Sequence, residues 1–238
     1  MKIVAMIPSR LAATRLPDKP LIDICGKPMI QWVWERAMAC DVLDEVVVAT
    51  PDEAIMETVA RFGGRAILTS MSHRSGTDRL AEAAADSDAD VIVNIQGDEP
   101  LIDPASVRLA VAPFHDPAVQ MTSLMCPCPE AEWESPSTVK VVCGADDDAL
   151  YFSRSRIPFP RSTQAGPMQH IGFYAYRRSE LLRIARLPAT PLEQAEGLEQ
   201  LRVLEHGGRI RMVRIEKAPL SVDTPEDLAH VRRILQVG

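Results

Sequence analysis

The amino-acid sequence predicts an α/β protein: a doubly wound, mostly parallel sheet flanked by helices, with a smaller strand-rich subdomain. Two observations predict it. Over residues 3–95 short apolar runs alternate with stretches of helical period, and the runs are continuous, as in strands buried on both faces. After residue 118 strand-like segments succeed one another with short or irregular links, which predicts mixed or antiparallel pairing. The whole chain, 1–238, is read as one domain, with the strand-rich part within about 119–176.

"KIVAMIP" is the first buried strand. "PMIQWVWERAMAC" starts a helix at Pro28 and places Ile30, Val33, Ala37 and the Trp34/Met38 pair on one face. "EVVVAT" is a strand, "DEAIMETVARFG" a helix ended by Gly63, "RAILTS" a strand, "TDRLAEAAAD" a helix and "DVIVNIQ" a strand. Then come the strands "VQMTSLMCPCP", "TVKVVCG", "ALYFSRS" and "MQHIGFYAYR". "PLEQAEGLEQLRVLEHGG" reads as one helix and "RIRMVRIE" as a strand. A last helix starts at Pro225, where Thr224 and Asp227 have capping-box spacing. "STQAG", 162–166, is the candidate mobile loop.

Composition narrows the function. A net charge of −7 and 5% aromatic residues argue against nucleic acid, which needs a basic face or a stacking platform. No stretch approaches the roughly 18 uninterrupted apolar residues of a membrane span, and "MKIVAMIPSR" lacks a cleavage pattern, so a soluble cytoplasmic protein is expected. Five cysteines without CxxC spacing read as reduced structural thiols.

Two stretches carry candidate chemistry. "IPSRLAATRLPDKPL" comes after the first strand with Arg10, Arg15 and Lys19 and a single acid, Asp18. It has neither the glycine pattern of a P-loop nor that of a dinucleotide fold, which sets aside an NAD oxidoreductase. Side-chain cations would then hold phosphates, arginine as a fork and lysine as a point charge. The three charges alone equally suit a solvated loop. "VNIQGDEP" ends another strand in Gln96, Gly97, Asp98 and Glu99, and its carboxylates suit magnesium with Gly97 permitting close approach. By itself it reads more readily as a turn.

Together with "GKPMIQWVWERA", "HRSGTDRLAEA", "ALYFSRSRIPFPR", "HIGFYAYR", "PLEQAEGLEQLRVLEHGGRI" and "VDTPEDL", these stretches resemble the 3-deoxy-manno-octulosonate (Kdo) cytidylyltransferases, in order from residue 3 to about 235. The resemblance implies a nucleotide-diphospho-sugar transferase-like fold and a reaction: CTP and Kdo give CMP-Kdo and pyrophosphate. It implies that Arg10, Arg15 and Lys19 grip the triphosphate and, with Asp98, form the catalytic set. It assigns Ser75, Gly76 and Arg79 to the nucleotide, and Asp98 and Asp223 to Mg2+. The sugar-acid pocket would draw on Gln96, Arg154, His170, Tyr174, Glu199 and Gln200.

Local chemistry beside the resemblance leaves several of these open. Ser75 and Asp78 have capping-box spacing, so that stretch also reads as a helix cap. Asp223 before an N-cap also suits the helix dipole. Arg154 has the fork for a carboxylate. His170 and Tyr174 would share a strand face, although a lone histidine is more often a core residue and Glu199 a solvated helix charge. The resemblance further implies a homodimer, with the apolar strand "VQMTSLM" a candidate surface, and supply of lipopolysaccharide precursors. Its partners would be CTP and a small sugar acid, with no nucleic acid and no membrane. Two departures stand out: the family often carries glycine at the position of Asp18, and a glycine expected shortly before "VDTPEDL" is missing. Transfer to another acid, 8-amino-Kdo or a phosphonate, and a catalytically silent nucleotide-binding module are the alternatives.

Overall fold

The computed structural model describes residues 1–11, 16–73, 75–161 and 166–237, the side chain of Val237 excepted. The chain divides into two compact units, one formed by Met1–Arg108 with Pro219–Gly238 and the other by Leu109–Ala218.

The first unit is built on four parallel strands. β1 (Ile3–Pro8) is buried along almost its whole length. It leads through a two-residue-strand hairpin, β2 (Asp23–Ile24) and β3 (Lys27–Pro28), into α1 (Met29–Met38). The hairpin turn takes positive φ at both central residues, Cys25 (53°) and Gly26 (86°), the conformation that matches strand twist. Next in order are β4 (Glu45–Thr50), α2 (Glu53–Arg61), β5 (Arg65–Leu68), α3 (Gly76–Ala84), β6 (Val91–Asn94) and α4 (Pro104–Val111). Gly63, at φ 81°, ends the α2 segment as its sequence predicts. β1 pairs in parallel with β4 on one side and β6 on the other, and β4 pairs with β5. The chain therefore winds outward from β1 to β5 and then returns to the opposite side of β1. That reversal is a topological switch point, where an open parallel sheet leaves a crevice beyond the carboxyl ends of its strands.

The second unit carries the change of rhythm. It contains β7 (Met121–Pro127), β8 (Lys140–Cys143), β9 (Ala149–Ser153), β10 (Met168–Arg177), α5 (Arg178–Ile184), α6 (Pro191–Glu196), α7 (Gln200–Glu205) and β11 (Arg211–Arg214). β10 runs antiparallel to β7 and β8, β8 is antiparallel to β9, and β11 joins β7 in parallel. The expected mixed pairing is what forms. The last helix, α8 (Pro225–Val237), closes the first unit. Asp227 Oδ2 accepts from the Thr224 amide at 2.8 Å while Thr224 Oγ1 accepts from the Asp227 amide at 3.2 Å, the reciprocal cap that the sequence spells.

Three expectations need correction. Ile30, Val33 and Ala37 are buried with Met29, but Met38 is 51% exposed and Trp34 packs on Phe62 at 5.3 Å between ring centroids. At about 100° per residue Met38 turns off the buried face. Residues 191–205 form two helices, because Gly197 takes the left-handed conformation (φ 63°, ψ 42°) and ends α6. The β7 strand has no spare apolar face: Met121–Cys126 are buried within the chain itself, and β10 and β11 occupy both its edges. Residues 162–165 of the predicted mobile loop lie outside the described residues, as does Arg15.

Candidate functional site

In the first unit, the crevice at the switch point is lined by the segments just beyond β1 and β6. A cavity of about 150 Å3 is bounded by Pro8, Ser9 and Arg10 after β1, Gln96 after β6, and His73, Ser75, Gly76 and Arg79 at the start of α3. The backbone continues the sheet a little way past each strand, with the Ser9 amide donating to Ala49 O at 2.9 Å and the Ile95 amide to Met6 O at 3.1 Å. Gly97 relieves a tight approach here, since a Cβ would sit 3.1 Å from the Pro8 carbonyl oxygen and press the neighbouring backbone to shift.

Four of the six predicted nucleotide residues, Arg10, Ser75, Gly76 and Arg79, line this cavity, and so does Gln96, which was assigned to the sugar acid. Ser75 Oγ accepts from the Asp78 amide at 3.2 Å and caps α3, so its helix-cap role is real and sets the start of α3 beside the crevice. Arg10 is exposed, whereas Arg79 is 4% exposed and donates to Thr69 Oγ1 at 2.5 Å and Ser70 O at 3.2 Å. Burial, with Arg10 nearby, pulls the Arg79 guanidinium below its ordinary pKa. Two cations thus face one crevice, which favours an anion. Two polar lining residues were missed in the sequence, His73 and Ser9. The Ser9 hydroxyl oxygen is buried without a hydrogen-bond partner among the described residues, an unmet polar group in a residue that lines the cavity. Their only signals were their places beside "SR" and "RSGTD".

Lys19 stands with the two aspartates. Its Nζ lies 2.7 Å from Asp98 Oδ2 and 3.1 Å from Asp223 Oδ1. Residues this distant in sequence meet because their backbones share anchors. Leu16, Ile24, Met29, Val222, Leu228 and Val231 form one apolar cluster, and the Val222 amide donates to Asp98 O at 2.9 Å. Asp18, just before the Lys19–Leu21 turn of 3-10 helix, has φ 52° and ψ 29°, the left-handed region that glycine enters most easily. A glycine would adopt this conformation without the Cβ penalty that Asp18 carries. Beside Asp98, Glu99 is 6% exposed, and burial with Asp98 as neighbour pushes its carboxyl up to about 8.

The donor chemistry fits magnesium. Asp98 and Asp223 supply hard oxygen atoms, converge on one cation, and keep side-chain exposures of 33% and 49%. Two carboxylates of this kind leave the remaining ligand positions of such an ion to water and phosphate oxygens.

The remaining sugar-acid candidates belong to the second unit. His170 is 7% exposed, with Nε2 2.9 Å from Ser123 Oγ and Nδ1 3.5 Å from Gln200 Nε2. Phe152 meets its ring edge-on at 4.8 Å, and Tyr174 lies 5.6 Å away on the same side, as the strand period required. Burial pulls His170 down to about 3, so the imidazole is neutral at pH 7. Burial, and then Glu199, pushes the Tyr174 phenol upward. Gln200 is buried and Glu199, just before α7, is exposed. Arg154 donates Nε to Glu196 O at 2.7 Å, Nη1 to Pro136 O at 2.9 Å and Nη2 to Gly197 O at 3.4 Å. Its fork is fixed by main-chain carbonyls, including those freed at the end of α6.

A cytidylyltransferase family profile matches residues 4–215. A 3-deoxy-manno-octulosonate cytidylyltransferase of Geobacter metallireducens is 49% identical over 245 residues, covering 97% of this chain and 96% of that protein. The chain belongs to the 3-deoxy-manno-octulosonate cytidylyltransferase family. Another member, from Acaryochloris marina, is 43% identical and covers 100% of this chain and 99% of its own. The fold agrees with the crevice geometry: a solved CMP:2-keto-3-deoxy-manno-octonic acid synthetase complexed with CTP matches at TM-score 0.96 and 46% identity, over 100% of this chain and 99% of that one. At 12% identity and TM-score 0.66, a 4-diphosphocytidyl-2C-methyl-D-erythritol synthase from Anaerococcus prevotii shares the fold alone. The chain is thus a nucleotidyltransferase. Among the described residues no helix is long and apolar enough to cross a membrane.

Proposed function

We propose that this cytidylyltransferase moves CMP from CTP to the anomeric hydroxyl of Kdo. The hydroxyl oxygen bonds to the α-phosphorus, the bond to the bridging oxygen breaks, pyrophosphate leaves and the hydroxyl proton passes to solvent. The observation that carries this reading is the convergence of Asp98 and Asp223 on Lys19 in the unit whose switch-point crevice is lined by Arg10 and the start of α3.

Lys19, Arg10 and Arg15 neutralise the triphosphate, so that the leaving pyrophosphate does not carry its charge unaided. Asp98 and Asp223 would hold Mg2+, which supplies Lewis-acid neutralisation of phosphate oxygens when bound. Ser75, Gly76 and the buried Arg79 hold the nucleotide end. Arg154 offers its remaining terminal N–H groups to the sugar carboxylate. His170, being neutral, serves as a hydrogen-bonding group and leaves the cationic role to Arg154, while Gln96, Tyr174, Glu199 and Gln200 address hydroxyls. The sugar and the triphosphate are positioned more than chemically altered by the protein, the regime in which orientation supplies most of the rate. A homodimer, a cytoplasmic setting and supply of lipopolysaccharide precursors complete the reading and rest on the resemblance.

The test is pyrophosphate release from CTP with Mg2+, with and without Kdo, for wild type and Asp98→Asn. Kdo-dependent release that falls by about two orders of magnitude or more in the variant is expected. CTP binding without release would favour another acid acceptor or a silent module, and wild-type rates in the variant would remove Asp98 from the metal site.

A further inference from the structure

Lys140, on β8, is wholly buried, at 0% exposure. Its ammonium meets no carboxylate among the described residues; it donates to two main-chain oxygens, Ser135 O at 2.6 Å and Arg154 O at 3.2 Å. A buried cation without a counter-charge is costly, and an apolar side chain would fill the same space more cheaply. What the ammonium supplies is geometry. It joins the turn before β8 to the end of β9, at the register position where Lys140 stands opposite Ser153.

Arg154 closes the same ring from the other side. Its Nη1 donates to Pro136 O at 2.9 Å, next to the carbonyl that Lys140 holds. Its amide donates to Glu196 Oε2 at 2.9 Å, and Ser153 Oγ donates to Glu196 Oε1 at 2.6 Å. With one N–H each from Nε, Nη1 and Nη2 committed to carbonyls, one N–H on each terminal nitrogen is left for a planar anion. The aim of that pair depends on where residues 135–136 and the Arg154 main chain sit. Lys140 fixes both.

We infer that Lys140 is a positioning residue for sugar-acid capture, acting through Arg154 by pinning the 135–136 turn to the Arg154 main chain. The inference rests on the reading of Arg154 as the carboxylate partner. Steady-state kinetics of Kdo-dependent pyrophosphate release test it in a double-mutant cycle of Lys140→Met and Arg154→Ala, with circular dichroism to confirm folding and CTP binding measured separately. Lys140→Met is expected to raise KM for Kdo about tenfold while KM for CTP and kcat stay within about twofold. In the Arg154→Ala background it should add less than about twofold, because the two residues act as one unit. Equal effects on both substrates, or additive effects in the cycle, overturn the inference. An Arg154→Ala enzyme with wild-type KM for Kdo would instead remove the reading beneath it. Lys140→Gln, which keeps a donor for one carbonyl, serves if the methionine variant does not fold and should fall between it and wild type in KM for Kdo. Loss of folding in both variants would assign Lys140 to the fold alone and overturn the inference as well.

Discussion

His170 has exchanged its titration for packing. Enclosed by Phe152, Tyr174, Ser123 and Gln200, it stays neutral down to about pH 3, whereas an unfolded chain would protonate it near its ordinary value of 6.5. Below 6.5 the unfolded state therefore binds a proton that the folded state refuses, so stability falls as pH falls through the window from 6.5 towards 3. Going from pH 7.5 to 5.5, the loss attributable to this residue is about 1.4 kcal/mol. Urea denaturation of wild type and His170→Gln at the two pH values checks it: the variant should lose less stability by about that amount. Equal losses would mean that the buried ring protonates in place. At the same residue scale Asp18 carries the Cβ penalty of a positive φ of 52°, and the missing Cβ of Gly97 eases its approach to the Pro8 carbonyl.

Between Pro191 and Glu205 the element, rather than any one side chain, carries the function. The apolar pattern of "PLEQAEGLEQLRVLE" runs at helical period through Gly197, and nothing in that period signals that φ there is 63°. If the helix were continuous, Gly197→Ala would stabilise it by about 1 kcal/mol. In the left-handed conformation observed, the same change should destabilise by about 1 kcal/mol, although a Cβ would find nothing within 4 Å. Thermal or chemical denaturation reads the sign directly, and a stabilised variant would refute the break. The break matters because Arg154 takes up the carbonyls of Glu196 and Gly197. Elements with strong local signals were legible: the buried runs of β1, β4 and β6, the Gly63 stop and the Thr224–Asp227 cap. The meeting of Arg10 and Ser75 was legible only through the resemblance, and the place of Gln96 in the same cavity was not read from the sequence. Tertiary decisions were not legible. Whether Met38 faces inward, whether β7 is covered on both edges, and whether Arg154 spends its fork on carbonyls depend on neighbours remote in sequence, and Lys140 gave no signal as a buried cation.

Across the whole molecule the five cysteines report on how the chain is closed to solvent. None is bonded to another: Cys25 is exposed in the β2–β3 turn, Cys40, Cys126 and Cys128 are buried, and Cys143 is intermediate. Thiol reagents attack the thiolate, so rate depends on both access and acidity. Burial raises the pKa of Cys40, Cys126 and Cys128, and pushes Cys143 up to about 11, with Asp147 adding to the shift. A native sample treated with an aromatic disulfide reagent at pH 7.5 should therefore show one fast thiol, and all five only after denaturation. Cys25→Ser should abolish the fast phase without altering nucleotide binding, since the Cys25 thiol contacts Arg232 O, at 3.7 Å, and lies outside the crevice. A reducing agent should leave the melting temperature unchanged, because stability comes from the buried core and not from covalent closure. A second fast thiol would overturn this reading and mark local access at the cysteine that reacts: Cys40 in the first unit, or Cys126, Cys128 or the part-exposed Cys143 in the second.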